Sequence, residues 1–585
     1  MAPQTLVQGN RSLKFIWGAF VTALALISLS LVNIQLIRGS ELAAEAASIR
    51  TFTNTLHAKR GDIVDAKGTV LATTVQTYDI AVNQQKIKLA TVTITDEKGE
   101  VVEVKKGMSA VAEHLAPLLG KNEAELGGQL IGDSTYHYLA RKVPVETWRK
   151  IRALKIYGIE WEESFQRLYP SKSVAATVIG SIDAEGVGNS GIELTQEDLL
   201  KGKDGSITNE YSPQGEVLPG GKNEYQSPQN GQTVHLTIDV DLQHRIEEYL
   251  NALAKQHNAQ AASVVITEVK TGNILVLADA YNRPINNQPQ TSKAIQYAAE
   301  PGSVGKVYTM ASGLEKGVIT PLTPVPVPDT LTVSNGQSFK DADPHGYQIL
   351  TAAGVLANSS NTGTIFIGEK VKPDDRWDLQ KRLGLGKPTN IGLPGETAGT
   401  LPAPDKWDGR QKYVNMFGQA YSVNQLQLVN SFATIGNGGA YLPLRLIDGY
   451  TLPDGTYQKA PLEKAERALS PEVSTELLKM METVSASGSG KHFQVPGYRT
   501  ALKTGTAEVI ENGVYVGNSL NIVGVVPTQD PQLAISVHMY RPSTNNYASI
   551  LLADLFKQVV TDAVRARNIP ASDVPPQPYP VVAGG

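Results

Sequence analysis

The sequence contains no cysteine. Disulfides, cysteine-based zinc sites and a cysteine nucleophile are thereby excluded, while the cellular compartment stays open. Histidine is scarce, 9 in 585 residues, and no H-E-x-x-H or similar paired-ligand spacing occurs among them. A positive excess is missing as well. The formal net charge of −4 gives no general attraction to phosphate, so nucleic acid is not an expected partner. Signs of pervasive disorder are absent from a composition of 41% hydrophobic and 19% charged residues. At 585 residues the chain is too long for one ordinary core, and two or three domains are expected.

Long, predominantly apolar uncharged runs are also lacking, with one exception. Residues 15–37 read FIWGAFVTALALISLSLVNIQLI and carry no charge. At about 1.5 Å per residue such a helix spans the roughly 30 Å hydrocarbon layer. Trp17 suits an interfacial anchor. A core helix rarely stays uncharged this long, and the apolar part of a signal peptide is usually only about 7–15 residues. Ala44-Glu45-Ala46 has the shape of a cleavage site, but Arg38 and Glu41 separate it from the apolar run. The expectation is an uncleaved single anchor. Charge orients it weakly, since Arg11 and Lys14 precede the span while Arg38 and Arg50 follow it.

Residues 38–59 are rich in Ala, Glu and Thr and read as a stalk. A mixed region follows over residues 60–220. Residues 91–104 alternate like a hairpin around Asp96-Glu97-Lys98-Gly99, and helical patterns cover 109–119 and 146–154. Residues 202–232 are rich in Gly, Pro, Ser, Asn and Gln and suggest a domain junction. Beyond it the texture changes. His235–Asp239 is strand-like, and Leu242, Ile246, Leu250 and Leu253 recur at helical spacing. Residues 263–277 read as two strands joined at Lys270-Thr271-Gly272. Strand-like runs return at 498–510, 520–526 and 533–539, with Glu511-Asn512-Gly513 as a turn. The long stretch between the two strand groups is helical and loop-like, which predicts an α+β domain with a large helical insertion over 233–567. Residues 548–566 predict a helix, and the Pro-rich residues 568–585 predict a mobile tail.

Three short motifs carry chemistry. In Glu300-Pro301-Gly302-Ser303-Val304-Gly305-Lys306 a serine stands where a helix begins, and a spacing of three puts Lys306 on its face. A serine hydroxyl is a poor nucleophile until a base takes its proton, and a neutral lysine one turn away is such a base. The positive end of a helix disfavours the ammonium form. S-x-x-K on its own is weak evidence, but this is the only copy in the chain. Ser359-Ser360-Asn361 offers a proton-relaying hydroxyl and an amide suited to a peptide bond. Ser422/Asn424, Ser519/Asn521 and Ser543/Asn545 match the same pattern and read as structural. Lys503-Thr504-Gly505-Thr506 opens a strand with a cation, two hydroxyls and a glycine, a good carboxylate-binding edge. Lys270-Thr271-Gly272 is a second K-T-G copy; it precedes Ser303, and its neighbours Val269 and Asn273 make it read as a hairpin turn, not a catalytic strand.

The ordered set S-x-x-K, S-x-N, K-T-G-T resembles that of serine beta-lactamases and penicillin-binding proteins. Over almost the whole chain the sequence is similar to class B penicillin-binding proteins, closest to the division-type members. Arg60-Gly61-Asp62-Ile63-Val64-Asp65, Arg167-Leu168-Tyr169-Pro170 and Gly191-Ile192-Glu193-Leu194 resemble the family's N-terminal region. Gly418–Val423 and Asn437-Gly438-Gly439 resemble a helical segment ahead of K-T-G. Two departures are Leu502, where many members carry Gly, and Val307, where Pro is common.

The resemblance implies a beta-lactamase-like transpeptidase domain on a mixed pedestal, and a D,D-transpeptidase that beta-lactams acylate. Ser303 would attack the penultimate D-Ala carbonyl of a stem peptide ending in D-Ala-D-Ala, with Lys306 as base. Ser359 would relay the proton and Asn361 would hold the peptide. Lys503, Thr504, Gly505 and Thr506 would form the substrate edge, with backbone N–H groups of Ser303 and Thr506 as the oxyanion hole. A second stem peptide's amine would resolve the ester. Neither a metal nor a cofactor would be needed. Such a substrate lies outside the cytoplasmic membrane, which puts residues 1–14 in the cytoplasm and the bulk outside. No glycosyltransferase domain fits ahead of the transpeptidase region, so a polytopic glycosyltransferase and other division proteins are the implied partners. The rivals are a carboxypeptidase or beta-lactamase, an elongation-type transpeptidase, and a non-enzymatic beta-lactam sensor or scaffold.

Overall fold

A computed structural model describes residues 5–95, 101–212, 216–281, 291–544 and 546–584. The chain divides into two compact units, residues 1–59 with 202–230 and residues 60–201 with 231–585. In the first, helix Thr5–Val32 runs on through Asn33–Ile37, and Leu13–Ile37 is long and apolar enough to cross a membrane. A second helix, Gly39–Arg50, leads into strand Thr51–Leu56. That strand pairs antiparallel with Gly205–Glu210, which pairs in turn with Asn223–Gln226. The expected stalk and junction are therefore built together into one small sheet. Both stretches are polar and poor in apolar alternation, so neither announces its partner.

The second unit begins with the pedestal. Strand Val70–Val82 lies between His137–Pro144 and Ile159–Leu168. Helices Met108–Leu119, Glu123–Leu130 and Val145–Ala153 close a local core with Val82, Leu115, Leu126 and Trp148. The predicted hairpin is present as Thr91–Thr95 against Val101–Lys106, and its turn, residues 96–99, lies outside the described residues.

The expected border between 60–220 and 233–567 does not follow the packing. Ile63–Val64 pairs in parallel with Thr233–Leu236, which pairs with Ile447–Thr451. Ile63, Leu71, Ile179 and Ile192 belong to the same buried cluster as Ile246, Val264 and Ile522. Apolar residues at the pedestal's inner end are buried only by docking on the catalytic region, a relation that local periodicity does not carry.

In the catalytic region α1 (Val240–Gln256), β1 (Ala261–Glu268) and β2 (Ile274–Tyr281) lead into the insertion. The insertion holds α2 (Lys306–Glu315), a ribbon of β3 (Pro324–Val327) and β4 (Gln348–Thr351), then α3 (Ala352–Ala357) and α4 (Asn361–Gly368). It ends with α5 (Gln425–Gly436) and α6 (Pro471–Ser487). β5 (Ala501–Glu511), β6 (Val514–Val526), β7 (Leu533–Tyr540) and α7 (Ala553–Ala566) complete the region.

The sheet runs β2-β1-β7-β6-β5 and is antiparallel throughout, with β5, the K-T-G strand, at an edge. Asp239 caps α1 by accepting from the Leu242 N–H at 3.2 Å, and Leu242, Ile246 and Leu250 then fall on its buried face. β1 and β7 read as apolar runs rather than alternating ones because helices cover both faces of the sheet. Asn512 and Gly513 both take positive φ, 52° and 76°, as the tight β5–β6 turn requires.

The tail is the clearest reversal. Residues 569–583 are docked rather than free. The Ser572 N–H donates to the Gly497 carbonyl at 2.8 Å, and the Thr351 N–H donates to the Val581 carbonyl at 3.0 Å. Proline removes some donors from this chain, and the segment is held by its remaining N–H groups together with its carbonyls.

Candidate active site

Ser303 sits in a tight turn, Gly302–Gly305, that feeds directly into α2. Two glycines make the turn possible. Gly302 has φ of 56°, and a Cβ there would come within 2.6 Å of the Thr506 carbonyl oxygen. A Cβ on Gly418 would lie 1.8 Å from the Gly302 oxygen, so residue 418 must be bare for its segment to back the nucleophile. That segment, Gly418–Val423, is not helical as expected. Gly418 and Ala420 have φ of 91° and 64°, Val423 bridges Ala299, and the helix starts only at Gln425 behind an Asn424 cap.

The Ser303 hydroxyl lies 2.9 Å from Lys306 Nζ. Lys306 Nζ also donates to the carbonyl of Ser359 and meets its Oγ at 3.1 Å. Ser359 reaches this position by an unusual backbone, φ 60°, at the break between α3 and α4. A non-glycine residue there costs roughly 1–3 kcal/mol, and the result is that both its carbonyl and its hydroxyl face Lys306. From the other side Lys503 Nζ donates to the same Ser359 Oγ at 3.0 Å and to the Thr504 carbonyl at 3.0 Å.

Both lysines are fully buried, and among the described residues neither has a carboxylate partner. Burial draws the Lys306 pKa down to about 7, against a smaller upward pull from Asp341. Burial, with the neighbouring Lys306 second, takes Lys503 well below the ordinary lysine range. A neutral Lys306 has a lone pair for the Ser303 proton.

A cavity of about 550 Å³ opens over this cluster, and Ser303, Lys306, Ser359, Asn361, Thr504 and Thr506 line it. Lys503 is placed differently from the carboxylate-binding role expected of it, because its amine is spent on Ser359 and Thr504 behind the wall. Gly505 also lines the cavity, and a Cβ there would meet the Pro301 oxygen at 2.4 Å. Its bareness therefore serves the approach of the nucleophile turn to β5. Thr506 Oγ1 accepts the Ala548 N–H at 3.3 Å, tying β5 to the rim.

Asp341 was not singled out in the sequence. Its Oδ1 accepts the N–H groups of Asn361 and Thr362 at 2.6 and 2.9 Å and so fixes the start of α4. Asn361 Nδ2 donates to the Lys340 carbonyl at 2.9 Å, which leaves the amide oxygen for a ligand N–H. Glu300 was missed too. It accepts the Ala420 N–H at 2.8 Å, and burial pushes its carboxyl pKa up. No periodicity or motif marks either acid, since each works through backbone amides distant in sequence.

The other motif copies are structural. Thr271 of the first K-T-G closes the β1–β2 turn on Glu268, and Gly272 has φ of 72°. Asn424 caps α5, Ser519 pairs with His538 at 3.0 Å, and Asn521 accepts from Gln425 at 3.0 Å. Asn545 lies outside the described residues.

Residues 262–561 match the penicillin-binding protein transpeptidase domain, and residues 55–236 match the penicillin-binding protein dimerisation domain. The chain belongs to the class B penicillin-binding proteins. This penicillin-binding transpeptidase is similar to penicillin-binding protein PbpB of Mycolicibacterium smegmatis, 29% identical over 98% of this chain and 94% of that protein. It is also similar to the peptidoglycan D,D-transpeptidase FtsI of Escherichia coli, 29% identical over 94% of this chain and 91% of that protein. A peptidoglycan synthetase from Bifidobacterium adolescentis superposes with a TM-score of 0.73 at 31% identity, covering 91% of this chain and all 100% of that one. Penicillin-binding protein 3 from Mycobacterium tuberculosis, solved with aztreonam, gives 0.68 at 25% identity, covering 90% and 100%.

Proposed function

We propose that this penicillin-binding transpeptidase cross-links peptidoglycan stem peptides through an acyl-enzyme on Ser303. The observation that carries the reading is the Ser303 hydroxyl against a fully buried lysine amine that has no carboxylate partner among the described residues. Lys306 takes the hydroxyl proton as Ser303 Oγ attacks the penultimate D-Ala carbonyl. Backbone N–H groups of Ser303 and Thr506 receive the oxyanion. Ser359, in contact with both lysines, passes the proton to the departing D-Ala amine, and the C–N bond breaks. The amine of a second stem peptide then attacks the ester, and Ser303 recovers its proton. Asn361 holds the donor's peptide bond, while Thr504 and Thr506 hold its carboxylate from the cavity wall, with Lys503 acting from behind.

Beta-lactams enter the same path and stall at the ester. The apolar Leu13–Ile37 helix anchors the protein in the cytoplasmic membrane with the catalytic region outside, where such a substrate lies. The resemblance to division-type members, with FtsI of E. coli among the relatives, supports a role in septal wall synthesis beside a polytopic glycosyltransferase.

The test is labelling with a fluorescent penicillin followed by mapping of the modified peptide, which should contain Ser303. Incubation of a pentapeptide donor with and without an acceptor amine separates transpeptidation from hydrolysis. Product formed only by water would turn the reading into a carboxypeptidase. Depletion in cells should give filaments, whereas rounding would favour an elongation role.

A further inference from the structure

The segment beyond α7 lies outside the residues that match the transpeptidase domain, yet it reaches the wall of the active-site cavity. Val582 bridges Leu350 of β4, and hydrogen bonds flank the bridge on both sides. The Thr351 N–H donates to the Val581 carbonyl at 3.0 Å and the Ala583 N–H donates to the Ile349 carbonyl at 3.1 Å. The tail thus adds an antiparallel bridge to the free edge of β4. Gln348 and Leu350 of that ribbon line the cavity.

The same segment fixes the start of α3. Thr351 is the cap of that helix: its Oγ1 accepts the Gly354 N–H at 2.9 Å and donates to the Pro580 carbonyl at 2.6 Å. Gly354 is bare because the tail passes over it, and a Cβ there would sit 2.0 Å from the Val581 oxygen. A second set of contacts holds the tail to α6. The Gln577 N–H donates to Glu482 at 3.1 Å, the Tyr579 N–H donates to Thr483 Oγ1 at 2.9 Å, and the Tyr579 hydroxyl meets Glu476. α3 is only 6 residues long, and Ser359 follows its last turn. One short helix is thus all that separates Thr351 from Ser359 along the chain. Ser359 is already held in a left-handed conformation that only its surroundings enforce.

We propose that residues 577–583 are a positioning element for acyl transfer: a segment supplied in cis that seats Thr351 and α3, and through them holds the Ser359 carbonyl and hydroxyl on Lys306. The proposal rests on Ser303 and Lys306 being nucleophile and base. None of residues 577–583 lines the cavity itself. Their effect is on the rate of the step that Ser359 assists.

The experiment measures acylation by a fluorescent penicillin in stopped flow, separating the limiting rate from the half-saturating concentration. It uses the full chain, Thr351→Val, Thr351→Ser, a chain ending at Pro576, and that shortened chain carrying Thr351→Val. The shortened chain should lose roughly tenfold in limiting rate with little change in half-saturation, as one or two lost hydrogen bonds at a positioned group predict. Thr351→Val should lose severalfold and Thr351→Ser should keep the full rate. Within the shortened chain Thr351→Val should cost less than in the full chain, because the Pro580 partner is already gone and only the Gly354 cap is left to lose. A shortened chain that melts like the full one and acylates at the full rate overturns the proposal. If the shortened chain does not fold, Thr351→Val matching the full chain overturns it, and a slow Val variant beside a normal Ser variant upholds it. Peptide mapping runs alongside. Label found away from Ser303 would sink the nucleophile assignment and leave the tail to be judged by the rates.

Discussion

Two regions of the second unit bury cations, and they treat them in opposite ways. At the pedestal's inner end Arg60 and Arg167 converge on Glu193, each with Nε 2.7 Å from a carboxylate oxygen, and Arg60 also reaches Glu197 at 2.7 Å. Arg499, beneath the tail, forms a double contact with Glu482 at 2.6 and 2.7 Å. Around Ser303, by contrast, Lys306 and Lys503 are equally deep, and their partners are hydroxyls and carbonyls. A buried charge without a counter-charge is expensive, and lysine escapes the cost by shedding its proton where arginine does not. Arg376 makes the point. It is fully buried on the neutral oxygens of Asn415, Gly368 and Lys412, and burial lowers its pKa only to about 10, so it stays charged. Paired arginines hold elements together, whereas unpaired lysines hold a base ready.

The comparison breaks most sharply at the nucleophile. Ser303→Ala should abolish covalent penicillin labelling with the melting temperature kept, and mass spectrometry finding drug on another residue would undo the assignment. Lys306→Met should slow acylation by roughly 10²–10⁴-fold, the usual worth of a positioned base. The same substitution should leave thermal stability unchanged or raised, since it replaces a desolvated amine by an apolar chain of similar length. A drop in melting temperature comparable to that of an arginine-site variant would erase the distinction between the two regions.

At the other site the effect should fall on stability alone. Glu193→Gln leaves Arg167 without its counter-charge and should cost about 3–5 kcal/mol, read from denaturant unfolding. Acylation per folded molecule should stay near normal. The sign of the pH response sharpens the contrast further. Lys306 has a folded pKa of about 7, far below the 10.5 of a free lysine, so its basic form is lost as pH falls through 7. The acylation rate should therefore rise from pH 6 to pH 8 with a midpoint near 7. A flat profile over that interval would show that Lys306 does not supply the base.

What could be read in the sequence divides along a physical line. Hairpins, amphipathic helices and the three motifs are set by neighbours within a few residues, so periodicity and spacing reveal them. The Glu511-Asn512-Gly513 turn and the helix over Leu242–Leu253 are of this kind. Thr51–Leu56 against Gly205–Glu210 and the tail against Thr351 depend on partners far along the chain, and their own composition is uninformative. Gly418–Val423 misled because a resemblance fixes which residues recur and not their backbone, and Ala420 is left-handed there. The site residues were nearly all legible as a set. The position of Lys503 was not, because whether a lysine faces the cavity or stands behind a serine is decided by the packing of β5 against the Ser303 turn.

The smallest effect expected is also the most discriminating, because the two K-T-G copies differ in setting more than in sequence. Lys503→Ala removes the amine that bonds Ser359 Oγ and should slow acylation by one to two decades. Removing one partner of a buried hydrogen bond costs roughly 1–3 kcal/mol, and here the loss is expressed in the transition state. Lys270 sits on the β1–β2 turn, whose geometry is kept by Thr271, Glu268 and Gly272. Its side chain is exposed, and substitutions of that kind usually fall within about 0.5 kcal/mol. Lys270→Ala should thus leave the second-order acylation rate within about twofold of the parent, with an unchanged melting curve. If Lys503→Ala proved as mild as Lys270→Ala, the buried amine would have no part in charging or discharging Ser359. The pairing of two desolvated lysines through one hydroxyl would then be a packing arrangement, and the proton's route from Lys306 to the leaving amine would have to run through the cavity instead.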